Sequence, residues 1–185
     1  VADLKNMYKI MKSYYAQDGA SFYAIGIPML ESVKLLKSGG MEREAEELLR
    51  YYEIHGEMLI KNGLCYPPHE VKYEQSIVAP AVNYLFQLYE LTGKILYLEE
   101  GKKQLAVLVL FNGHQPDFHM YENAVRHWDG YWFGKYKNLG DTFPHYWSSL
   151  SGVAFREYEK ITGERSYGVK AENSLRGVLS MINSD

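Results

Sequence analysis

The strongest constraint on the fold is a helix ending that occurs twice. Tyr89-Glu90-Leu91-Thr92-Gly93 aligns with Glu159-Lys160-Ile161-Thr162-Gly163, seventy positions later, and at that offset Leu85 matches Phe155 and Tyr97 matches Tyr167. A Gly after the last apolar-periodic residue stops a helix by adopting a left-handed conformation. In both copies a second helical pattern starts within a few residues. The repeated unit therefore reads as an αα-hairpin with a short link, and a chain of such units buries its core by stacking neighbours.

Periodicity at three- and four-residue steps fills most of the remaining chain. A first helix is expected from about Ala2 to Tyr15, where Leu4, Met7, Tyr8, Met11 and Tyr15 make the stripe. A second follows Ser21 and carries Ile27, Leu30, Val33, Leu35 and Leu36, with Pro28 near its start, where proline is tolerated. The third, Met41 to Lys61, sets Ala45, Leu48, Leu49, Tyr52, Met58 and Leu59 against an outer face of Glu42, Arg43, Glu46, Glu47 and Arg50. Further helices are expected over Glu74–Leu91, Ile95–Phe111, about His145–Ile161 and about Ser166–Ile182. The apolar run Leu105 to Phe111 reads as a buried helix segment. No strand is expected; the run Gly130-Tyr131-Trp132-Phe133 is too short to change an all-α class.

Two links are long: Leu64 to about Tyr73, and some thirty residues from His114 to Pro144. Each precedes the first helix of a hairpin, so both should leave the bundle at the same end. Long links inside compact domains usually carry function. The second is rich in rings, imidazoles and acids, which argues against a disordered segment.

Composition narrows the partners. In 185 residues the net charge is −3 and there is no basic stripe, so nucleic acid is excluded. No apolar run approaches the roughly 18 residues of a membrane span. A single cysteine, Cys65, allows no internal disulfide and no multi-cysteine metal site. His114, His119, His127 and His145 lack paired ligand spacing on one helix, so no metal and no cofactor is expected. The chain holds 17 Tyr, 7 Phe and 3 Trp. Rings with polar tips suit a half-apolar, half-wet partner such as a sugar; a Tyr-rich core or a protein interface is the alternative.

Cleaving a glycosidic bond by hydrolysis takes two carboxylates flanking it. The candidates are Glu122, Asp129 and Asp141, with Asp117 and Glu74 behind them. Trp128, Tyr131, Trp132 and Trp147 can floor a sugar site, and Arg126, His127, His145, Tyr66 and Glu74 can line it. Bland roles compete: Asp141-Thr142 before Pro144 can cap a helix, Glu74 can sit at a helix N-terminus, and Arg126 can pair with Asp129.

The run His119-Met120-Tyr121-Glu122 through Arg126-His127-Trp128-Asp129-Gly130-Tyr131-Trp132-Phe133-Gly134, then Gly140-Asp141-Thr142-Phe143-Pro144-His145-Tyr146-Trp147, resembles a segment of large secreted bacterial proteins of the six-hairpin glycosidase-like (α/α) toroid superfamily. The resemblance covers roughly Tyr73 to Tyr167. It implies a cleft at the mouth of a toroid, a carbohydrate ligand and a secreted or cell-surface location; it transfers no catalytic pair. A full toroid has six hairpins, and seven helices make about three and a half. With Val1 in place of Met and no signal-like segment, the chain reads as a single αα-hairpin domain excised from a longer protein. Helix faces left open would favour self-association into a homo-oligomer. The leading expectation is a glycoside hydrolase. A polysaccharide lyase using Tyr121, His127, His145, Tyr146 and Arg126 is the alternative, and a non-catalytic glycan- or protein-binding helical module is the third.

Overall fold

The computed structural model describes residues 2–15, 27–62, 75–110, 112–115, 120–124 and 148–179. Among them the elements run α1 (Ala2–Tyr15), α2 (Ile27–Ser38), α3 (Glu42–Asn62), α4 (Gln75–Thr92), α5 (Ile95–Leu110), β1 (Asn112–Gln115), β2 (Met120–Ala124), α6 (Ser148–Thr162) and α7 (Arg165–Leu179). The helices follow the sequence periodicity closely.

The repeated ending is one structure built twice. Gly93 and Gly163 have φ of 68° and 76°, the left-handed region open to glycine. The Gly93 amide donates to the Tyr89 carbonyl and the Gly163 amide to the Glu159 carbonyl, both at 2.7 Å. Thr92 Oγ1 donates to the Leu88 carbonyl at 2.6 Å, and Thr162 Oγ1 donates to the Tyr158 carbonyl at 2.7 Å. Each hydroxyl also accepts from the amide two residues on, Lys94 or Glu164, at 3.2 and 3.3 Å. The carbonyls left over at a helix end are satisfied locally, and the chain reverses with two residues to spare.

Helix α4 is the central element. Residues 78 to 88 are buried on every side, as expected of a helix apolar all round. Its Ala81, Tyr84, Leu85 and Leu88 join a core with Val33 and Leu36 of α2 and Ala45, Leu48, Tyr52 and Leu59 of α3. Its Val78, Ala79, Val82 and Phe86 join a second core with Leu105 and Leu108 of α5, Ala154, Phe155 and Tyr158 of α6, and Ala171 of α7. One helix is thus the wall shared by two cores. Pro80 lies inside it. It cannot donate to the Ser76 carbonyl, a defect of about 3 kcal/mol in an isolated helix, tolerated here where packing surrounds the helix.

Close approach marks the hairpins. A Cβ on Gly101 of α5 would lie 2.6 and 2.8 Å from Phe86 ring atoms of α4. Gly152 of α6 faces the Ala171 carbonyl and the Ser174 and Leu175 side chains, and α7 buries Gly168, Ala171, Ser174 and Gly177 along that seam. Small residues let these backbones come close enough to interlock. Outside them, α1 lies on α3, where Glu47 accepts from the Tyr8 hydroxyl and from Lys12 Nζ. Glu47, expected to face away from the core, thus serves as a tie between two helices.

Two expectations change. The Leu105–Phe111 run is only partly buried: Leu105 and Leu108 are enclosed but Leu110 is 79% exposed. A two-stranded antiparallel ribbon, β1 with β2, stands where no strand was expected. Its sequences, Asn-Gly-His-Gln and Met-Tyr-Glu-Asn-Ala, lack the alternation of a half-buried strand. The ribbon lies against α7 and α6, which supply the packing its own pattern does not advertise.

Candidate functional site

Helices α4 and α6 run parallel. Asn83 meets Leu150, the Phe86 and Tyr158 rings lie 5.6 Å apart, and Glu90 meets Lys160, in the same order along both helices. With α5 and α7 returning antiparallel from Gly93 and Gly163, the opposite end of these two hairpins gathers Gln75, Leu110, Ser148 and Leu179. Both long links attach there, the first entering at Gln75 and the second running from Leu110 to Ser148. The anchors of the two links therefore share one end of the molecule, as the hairpin argument requires.

The described part of the second link begins with the ribbon. Asn112 caps α5: its Nδ2 donates to the Leu108 carbonyl at 2.9 Å. The register pairs Asn112 with Ala124, Gly113 with Asn123 and Gln115 with Met120. Between the last two pairs, β1 offers only His114 while β2 offers Tyr121 and Glu122. This is a bulge, two residues opposite one, and bulges bend a strand and re-aim its side chains, often beside active sites. The irregularity brings the backbones of Glu122, the hydrolase candidate, and Tyr121, the lyase candidate, next to that of His114.

The other sequence candidates, Asp129, Asp141, Trp128, Tyr131, Trp132, Trp147, Arg126, His127, His145, Tyr146, Tyr66 and Glu74, lie outside the described residues, as do Asp117 and His119.

Sequence reasoning passed over a buried polar group joining α2, α3 and α4. Ser32 Oγ and the Tyr52 hydroxyl are 2.9 Å apart, and the Tyr84 hydroxyl donates to the Tyr52 carbonyl at 3.0 Å. The His55 ring packs edge-on to Tyr84, with centroids 5.0 Å apart. Burial lowers the His55 pKa to about 4 and pushes the Tyr52 hydroxyl upward. His55 is therefore neutral at physiological pH. Towards the neighbouring helices, Gln87 Oε1 accepts from the Leu30 amide at 3.2 Å, and Asn83 Nδ2 donates to the Leu150 carbonyl at 3.4 Å. These polar residues sit on apolar-periodic helices, where the sequence signals core and nothing distinguishes a satisfied core histidine from a working one. Among the described residues no three His, Cys, Asp or Glu side chains cluster in a way that would hold a metal ion.

The chain is similar to a polysaccharide lyase. A solved structure of that description, BACCELL_00875, matches with a TM-score of 0.82 and 49% sequence identity over 97% of this chain and 27% of the lyase. The chain thus spans about a quarter of the length of the structure it matches. No family model and no curated protein sequence matches it. The likeness and the helix order agree on the fold class: all-α, antiparallel αα-hairpins forming part of an (α/α) toroid, with the β1–β2 ribbon as a local addition. Among the described residues no helix is long and apolar enough to cross a membrane.

Proposed function

We propose that this chain is a helical portion of a polysaccharide lyase acting outside the cytoplasm on a uronate-containing glycan. The observation that carries the reading is the 49% identity to a polysaccharide lyase across nearly the whole chain. It favours elimination over the hydrolysis first expected from Glu122, Asp129 and Asp141.

Elimination needs different parts from hydrolysis. A base removes the proton on the carbon beside the uronate carboxylate. The electron pair left behind forms a carbon–carbon double bond, the bond to the leaving oxygen breaks, and that oxygen takes a proton from an acid. The developing negative charge on the carboxylate is stabilised by a cation or hydrogen-bond donor held in place beforehand. Tyr121, His127, His145 and Tyr146 are the candidates for base and acid, and Arg126 for the charge. Tyr121 is supported by its place on the bulge of β2. Trp128, Tyr131, Trp132 and Trp147 are proposed to stack on sugar rings.

The test is incubation of the protein with a panel of uronate polysaccharides, following the ultraviolet absorbance of an unsaturated uronide. New reducing ends are expected together with that absorbance, which belongs to the unsaturated residue at the new non-reducing end of the other fragment. New reducing ends without it would return the chain to the hydrolases, and binding without any cleavage would make it a non-catalytic module.

A further inference from the structure

We draw no further inference here: the strongest candidate, the buried polar face of α4 between α2 and α6, where Asn83 is 2% exposed and its Oδ1 accepts no hydrogen bond among the described residues, carries nothing because the side chain is closed to solvent and nothing in the structure shows which donor it serves.

Discussion

His55 is 4% exposed, and its pKa near 4 lies well below the ordinary value of 6.5. The cause is burial, which disfavours the imidazolium. The sign of the consequence follows from linkage. The unfolded chain takes up a proton below about pH 6.5 and the folded chain only near pH 4, so stability is complete above the first value and falls as pH drops towards the second. Between pH 7 and pH 5 this one group should remove about 2 kcal/mol. Urea unfolding at the two pH values measures it, and His55→Leu should flatten the dependence whatever it does to stability at neutral pH. A variant as acid-sensitive as the parent would place the acid lability elsewhere. At Gly163 the backbone decides, because φ is 76° and a Cβ there meets open space. Gly163→Ala should cost about 1–2 kcal/mol from the left-handed conformation alone, and Gly163→Asn less, since Asn tolerates that region. Equal unfolding midpoints for the parent and Gly163→Ala would contradict the assignment.

The hairpins owe their fit to a few contacts between elements. Gly101 and Phe86 interlock α5 with α4, and Phe86 in turn lies against Tyr158 of α6. Gly101→Ala should overpack this junction and destabilise by about 1–3 kcal/mol. Phe86→Leu should relieve part of that cost, so the double mutant is expected to be more stable than the two single losses predict. Strict additivity in denaturant unfolding would mean the two residues do not meet. At the same scale, Thr92→Val and Thr162→Val each remove one donor and one acceptor from matched turns. Both should cost about 1 kcal/mol, by nearly the same amount, because the two turns make the same hydrogen bonds. The sequence announced these elements because Thr-Gly, an apolar stripe and a left-handed stop coincide at each boundary. It hid the ribbon because Asn112-Gly113 reads equally well as a helix stop, and because β2 is held by α7 and α6 more than by its own alternation. Pro80 was invisible as a feature for the opposite reason: the periodicity runs straight through it.

For the whole molecule, the functional expectation rested on topology. Two long links placed before the first helices of two hairpins must attach at one end, and the anchors Gln75, Leu110 and Ser148 do. Which side chains work there was not legible to the same degree. Acids, imidazoles and rings in an aperiodic stretch announce chemistry without saying which pair performs it, and hydrolysis and elimination draw on overlapping residue types. The elimination proposed here assigns the chemistry to Tyr121 rather than to Glu122. Tyr121→Phe should therefore abolish formation of unsaturated product while leaving the thermal midpoint near that of the parent. Glu122→Gln should leave elimination largely intact. If the Glu122 change alone silences cleavage, the carboxylate chemistry first expected is the correct one.

The two ends of the α4–α7 bundle obey different rules. At one, Gly93 and Gly163 close their hairpins within two linking residues, so an insertion there must undo a cap. At the other, the helices hand over to connections whose length the frame does not fix. Related chains can therefore exchange those connections while the helices stay where they are.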